Sequence, residues 1–141
     1  TSDGATILAQ ETVKAPASEG GTVDIAILGL AVQGQLATLT ARFSPHFPSA
    51  APDDTISLDD MSDNALDPHQ VSLVDPVGLK RYLVVEDANN NALGADEVNT
   101  EAVNNSSVIA HWTFAAPPPD VTKLNVELGP FPPLNDIPVS R

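Results

Sequence analysis

Three histidines, His46, His69 and His111, are the chain's only side chains with an ordinary titration near neutral pH, and the sequence contains no cysteine. Nucleophilic catalysis needs a hydroxyl or thiol beside a base, so any such chemistry would have to run through one of these imidazoles. None lies in a recognisable catalytic motif. His46 sits in Ser44-Pro45-His46-Phe47-Pro48, His69 follows Asp67-Pro68, and His111 falls on the polar alternation of a strand. The expectation is three separate surface histidines. The acid pairs Asp53-Asp54 and Asp59-Asp60 could share protons, but adjacent carboxylates on a loop are ordinarily solvated. A glycosidase would also want an aromatic-lined cleft, and this chain has six aromatic residues in all.

Calcium is the one ion worth weighing. Asp87, Asn89 and Asn91 begin with the one, three, five ligand spacing of a calcium loop, because a hard cation takes oxygen donors. The pattern then departs, with Ala92 where the loop needs glycine and Val98 where a bidentate glutamate belongs. A hairpin turn accounts for the same residues, so no cofactor is expected, with calcium at Asp87, Asn89 and Asn91 the only alternative.

The elements that must carry these residues read as strands. Val23, Ile25 and Ile27 alternate with Asp24, Ala26 and Leu28, and Ala37, Leu39, Ala41 and Phe43 alternate with Thr38, Thr40 and Arg42. A period of two places one set on one face of a strand. Gln33-Gly34 between the two runs predicts a hairpin. Val71 and Leu73, Leu79 to Val85, Val108 to Phe114 and Leu124 to Leu128 give further strands, with Asp75-Pro76-Val77-Gly78 as a turn. The continuous Tyr82-Leu83-Val84-Val85 predicts burial on both faces, and Trp112 is read as core. Pro130, Pro132, Pro133 and Pro138 confine Ile137-Val139 to an edge or to no sheet at all.

Between Ser44 and Gln70 the alternation stops. That connection carries Asp53, Asp54, Asp59, Asp60, Asp63 and Asp67 without a lysine or arginine, and a short strand is expected around Ile56–Leu58. Residues 1–21 form a polar lead-in whose apolar cluster is Ile7, Leu8 and Ala9; residues 22–141 form the folded domain. With no convincing amphipathic helix, the prediction is an all-β chain: an immunoglobulin-like antiparallel β-sandwich of about seven strands, with a closed barrel as the alternative.

Composition excludes several classes of function. Of 141 residues 42% are hydrophobic, enough for a core, yet no run approaches the ~20 apolar residues of a spanning helix, so no membrane insertion is expected. Six basic against nineteen acidic residues give a net charge of −13, which repels phosphate backbones and makes nucleic acid an unsuitable partner. The start at Thr1 lacks both Met and the layout of a signal peptide, the form expected of a processed protein.

The run Val71-Ser72-Leu73-Val74-Asp75-Pro76-Val77-Gly78-Leu79-Lys80-Arg81-Tyr82-Leu83-Val84-Val85 carries a family resemblance. So does Phe114-Ala115-Ala116-Pro117-Pro118-Pro119-Asp120-Val121 leading to Gly129-Pro130-Phe131-Pro132-Pro133. Over about residues 23 to 139 the chain resembles the β-sandwich module that precedes the peptidoglycan-binding domain in secreted OmpA-like envelope proteins of actinobacteria. The resemblance implies an extracytoplasmic, non-catalytic domain that binds or presents something at the cell envelope. It transfers no functional residue, and with no OmpA-like domain after Arg141, no wall anchoring. Partners are expected to be proteins or copies of the chain itself. The alternative is a structural subunit of an extracellular or pilus-like assembly, in which a lead-in strand with Ile7 and Leu8 completes a neighbour's open sheet edge. A hydrolase using His46 or His69 with loop aspartates is the third reading.

Overall fold

The computed structural model describes residues 7–16, 20–63 and 66–141. Its chain runs β1 (Ala9–Lys14), β2 (Thr22–Gln33), β3 (Leu36–His46), β4 (Thr55–Ser57), helix α1 (Leu58–Ser62), a 3₁₀ turn (Pro68–Gln70), β5 (Val71–Asp75), β6 (Lys80–Leu83), β7 (Glu101–Val103), β8 (Val108–Ala115), β9 (Lys123–Leu128) and β10 (Leu134–Pro138). Two four-stranded antiparallel sheets form, in the orders β1-β2-β3-β8 and β10-β9-β5-β6. Strands β4 and β7 add a small two-stranded sheet. Strands β2, β3, β8 and β9 carry the alternations seen in the sequence. One shared core joins the two main sheets, with Ile25, Leu39, Phe43, Trp112 and Phe114 from the first sheet and Leu73, Leu124 and Val126 from the second. The chain is an all-β sandwich.

The β2–β3 hairpin turns through Gly34 at φ +64°, a left-handed value that glycine adopts without a Cβ clash. Its register shifts between Ile27 and Gly29, so β2 buries Val23, Ile25 and Ile27 and then changes phase to bury Leu30. The lead-in does not stand apart. Strand β1 pairs along β2 from Ala9 opposite Ile27 to Lys14 opposite Thr22, with Val13 the buried side chain of its six.

Both open sides of the sandwich are stitched. Val84, just past β6, leaves the second sheet and bridges to Phe114 of β8. At the opposite side Ser140, just past β10, pairs in parallel with Ala31, donating to the Leu30 carbonyl at 2.8 Å and accepting from the Val32 amide at 2.7 Å. The circuit of backbone bonds therefore runs round both sheets, which shelters sheet edges from edge-to-edge association.

Two expectations change. The apolar run from Tyr82 to Val85 is not buried on both faces: β6 is an edge strand with Leu83 59% exposed, and the run is continuous because it crosses from one sheet to the other at Val84. The acidic connection forms its short strand at Thr55–Ser57, but residues 58–62 then make a helix. Ser57 caps it by accepting from the Asp60 amide, while the Asp60 carboxylate accepts from the Ser57 amide, a reciprocal box that satisfies amides a helix start leaves unpaired. Among the described residues no helix is long and apolar enough to cross a membrane.

Candidate functional site

Each histidine is held by oxygen atoms. His46, at the end of β3, places Nε2 3.0 Å from Asp24 Oδ2 and Nδ1 2.9 Å from Asn105 Oδ1. The Thr12 hydroxyl donates to the other Asp24 oxygen at 2.6 Å, so one network ties β1, β2, β3 and the turn before β8. His69 stands between Asp67 (2.8 Å) and Glu86 (3.3 Å). In both rings each nitrogen faces an acceptor oxygen, an arrangement that holds protons rather than taking one from a nucleophile. His111 meets Thr40 across the β3–β8 pair, Oγ1 to Nδ1 3.1 Å, on the exposed face expected for it. The loop aspartates Asp53, Asp54, Asp59 and Asp60 are not brought to either His46 or His69 in this network: the partners are Asp24, Asn105, Asp67 and Glu86.

The Asn105 bond, and with it the Asp24 carboxylate, raises the His46 pKa above its ordinary value near 6.5. A raised folded pKa means that the protonated ring favours the folded state; this contribution is complete below about pH 6.5 and is lost as pH rises through the folded value. His69 is raised in the same direction by Asp67 and then Glu86. The thermal midpoint of the native protein, relative to a His46→Gln variant, is expected to be higher at about pH 5.5 than at about pH 8.5. A native-minus-variant difference equal at the two pH values would refute this.

The calcium candidates form a turn. Asp87 Oδ1 accepts from the Asn89 amide at 2.8 Å and the Asn91 amide at 3.0 Å, and Asn90 takes a left-handed φ of +64° between them. These amide bonds, Asn91 first, hold the Asp87 carboxyl below its ordinary range. Asp87, Asn89 and Asn91 thus close the loop on themselves as an Asx turn, the reading that competes with a cation cage. Among the described residues no three His, Asp or Glu side chains are grouped to hold a metal ion. Ile7 is partly exposed, and the Leu8 amide donates to the Ile27 carbonyl at 2.8 Å, so both begin the segment that lies on this chain's own β2.

The β5–β6 hairpin has an unusual tip. Val77 is 92% exposed and Leu79 88% exposed, the two most exposed large apolar side chains among the described residues. The loop holding them is fixed. Asp75 Oδ1 accepts from the Val77 and Gly78 amides, each at 3.1 Å, and Leu79 is held at φ +55°, a conformation that disfavours a side chain of its kind. A Cβ at residue 78 would lie 2.5 Å from Asp75 Oδ2, so the carboxylate can reach both amides only over glycine. Beside the tip a cleft of about 210 Å³ separates Asp75, Val77 and Gly78 from Asp120, Val121, Thr122 and Lys123. Burial, with the nearby Asp75 and Asp120 carboxylates, pushes the Tyr82 phenol up on the underside of the hairpin.

Comparison with known protein families, curated proteins and solved structures finds no match.

A second hollow, of about 440 Å³, lies across the outer face of the second sheet and includes His69, Ser72, Arg81, Glu127, Phe131 and Pro133. Its polar wall is internally paired. Arg81 donates to Ser72 Oγ at 2.8 Å and forms a close ion pair with Glu127, a cross-strand network over β6, β5 and β9. The tip presents the opposite case: fixed backbone, with apolar side chains that nothing among the described residues covers. Reading the sequence as strand and turn missed Val77 and Leu79. The available signal was two aliphatic residues inside Asp75-Pro76-Val77-Gly78-Leu79, where a turn ordinarily carries polar ones.

Proposed function

We propose that this chain is a non-catalytic, extracytoplasmic β-sandwich module that binds a protein partner, with the β5–β6 hairpin tip as its binding element. The single observation carrying the reading is the pairing of a fixed loop with two almost fully exposed aliphatic side chains, Val77 and Leu79. Water gains nothing from such a display, whereas a partner that covers both gains on the order of 1.5–3 kcal/mol for each. Fixing the loop beforehand also removes ordering cost from binding. The histidine geometry supports a role without catalysis, since the rings of His46 and His69 are engaged on both sides. Placement at the cell envelope rests on the resemblance of residues 23 to 139 to the sandwich modules of secreted OmpA-like proteins.

Leu79→Asp tests the reading cleanly. Aspartate adopts left-handed φ more readily than leucine, so the fold is expected to persist while the apolar contact is lost. Immobilised native chain is expected to retain an envelope protein that the variant retains at least about tenfold less, the factor that corresponds to ~1.4 kcal/mol. Equal retention by the two would remove the tip from the function.

The alternative, a subunit joined by donated N-terminal strands, draws on β1, which buries only Val13 and so loses little core on leaving β2.

A further inference from the structure

The first sheet carries a surface that fits the tip. Leu93, Ala95 and Thr100 line a shallow hollow of about 440 Å³ with Ile109 and His111 of β8. Leu93 is 40% exposed and Ile109 44% exposed, so its apolar lining is open to a partner. Its rim is acidic, because Asp96 and Glu97 follow Ala95 in the chain and Glu101 follows Thr100. Asp96 is fixed there by accepting from the Val98 and Asn99 amides and the Asn99 side chain.

The tip end has a different charge balance. Register places Lys80 opposite Asp75, and antiparallel pairing of Val74 with Asn125 brings Lys123 alongside Pro76. Arg141 donates to the carbonyls of Pro118 and Val121, beside the cleft next to the tip. Three of the chain's six basic residues, Lys80, Lys123 and Arg141, therefore gather at this end. They meet Asp75, Asp120 and Asp136; three against three leaves the region neutral, and the formal charge of −13 resides elsewhere. Between copies of so acidic a chain, the tip end can approach an acidic rim without the repulsion that the other surfaces produce.

Tip and hollow lie at opposite ends of the strands. From the tip β6 runs to Val84, which bridges Phe114, and β8 continues antiparallel from there back to Ile109. At ~3.3 Å per residue the separation is roughly 30 Å.

We propose that the hairpin tip of one copy of this chain seats in the hollow of the next, Val77 and Leu79 against Leu93, Ala95 and Ile109, with Lys80 and Lys123 facing Asp96, Glu97 and Glu101. This rests on the reading of the tip as the binding element and names its partner as a second copy. Because the two surfaces differ and lie roughly 30 Å apart along the strands, a single tip-in-hollow contact is heterologous and leaves a free tip and a free hollow. The product is an open row of copies. With two anchoring side chains the interface is at the small end of known sizes, so association is expected only toward millimolar chain.

The test is sedimentation equilibrium of the full chain up to millimolar concentration at physiological ionic strength. The native average mass is expected to rise with concentration and to pass the dimer without a plateau. Leu79→Asp removes the tip and Ile109→Asp, or Leu93→Asp should that variant not fold, removes the hollow. Each alone is expected to associate at least about tenfold more weakly. Mixed one to one, they retain one good tip and one good hollow, and are expected to form a heterodimer and stop there. A disulfide between Cys replacements at Lys14 and Thr22, which face each other in the β1–β2 register, locks β1 to its own chain and should leave assembly intact.

A native chain that stays monomeric at millimolar concentration overturns the proposal. So does a variant mixture that forms no heterodimer, or loss of assembly in the β1-locked chain, which would assign assembly to strand donation. If self-association is absent while Leu79→Asp still loses the retained envelope protein, the tip remains the binding element and only its partner changes. If Leu79→Asp alters neither, both readings fall together.

Discussion

Trp112→Ala is expected to remove about 3–5 kcal/mol of stability, the range for truncating a buried aromatic residue. The indole is fully buried and meets Phe43 edge to face, with ring centroids 6.0 Å apart and planes at 73°. The chain has no cysteine and hence no disulfide to hold the sheets together once this packing goes, and a domain's total stability is on the order of 5–15 kcal/mol. Trp112 also supports the first sheet's outer wall. Gly94 bridges to it, and a Cβ at residue 94 would fall 2.5 Å from the indole Cδ1, so the segment before Ala95 rests directly on the ring. The hollow proposed to receive the tip is therefore built against Trp112, and its truncation is expected to weaken assembly as well as folding. Trp112→Phe should cost less than half as much. It keeps a ring near Phe43 and deletes an indole N–H that finds no partner among the described residues. Urea midpoints at unchanged slope would report both losses; a shift for the alanine variant equivalent to less than about 1 kcal/mol would mean the core closes around residue 112 without it.

The core was readable because period-two alternation is a property of the strand itself. Ala110, Trp112 and Phe114 point inward as the pattern requires, and so do Leu124, Val126 and Leu128. Departures occur where tertiary context overrides that period. The run from Tyr82 to Val85 is apolar because one strand serves two sheets, a fact settled by Phe114 some thirty positions away. Strand β1 reads as polar because it lies on an edge and buries Val13 alone. Helix α1 is too short to show a helical period, and its only sequence signature is the Ser57 and Asp60 pair three residues apart. For the candidate sites the limit is sequence distance. His69 and Asp67 are neighbours and legible as such, but His46 finds Asp24 twenty-two positions upstream and Asn105 fifty-nine downstream, through register no local pattern encodes. Asp87, Asn89 and Asn91 satisfy the opening spacing of a calcium loop and equally the amide acceptors of an Asx turn, because both need short oxygen-bearing side chains at those positions. Exposure of Val77 and Leu79 is the property local chemistry predicts least, since nothing in a turn sequence states that no other part of the chain will cover it.

Asn104→Ala is expected to cost about 2–4 kcal/mol, more than most polar truncations, because this amide substitutes for a strand. Asn104 is buried, and its side chain pairs with the backbone of Phe47 in both directions, accepting from the amide at 2.9 Å and donating to the carbonyl at 2.9 Å. Its Nδ2 also lies 3.4 Å from the carbonyls of Ala50 and Ala51. Alanine would leave the paired Phe47 groups in a dry environment, at about 1–3 kcal/mol for each group left unsatisfied. The same segment is held by the Asn104 amide bonding to the Asp54 carbonyl and the Asn105 amide bonding to the Pro45 carbonyl. Residues 47–54 thus take their position from the turn between β7 and β8. Asn104→Asp separates hydrogen bonding from packing: it keeps the volume and the acceptor for the Phe47 amide, but sets a carboxylate oxygen against the Phe47 carbonyl. At neutral pH it should be less stable than the alanine variant, and protonation at low pH should recover part of the loss, because a neutral carboxyl can donate where the amide did. Denaturation midpoints of the two variants at neutral and acidic pH, with proteolysis of residues 47–54 followed alongside, measure this directly. An aspartate variant as stable as the native chain at neutral pH would show that the loop is held by its backbone bond to the turn between β7 and β8, and not by the Asn104 side chain.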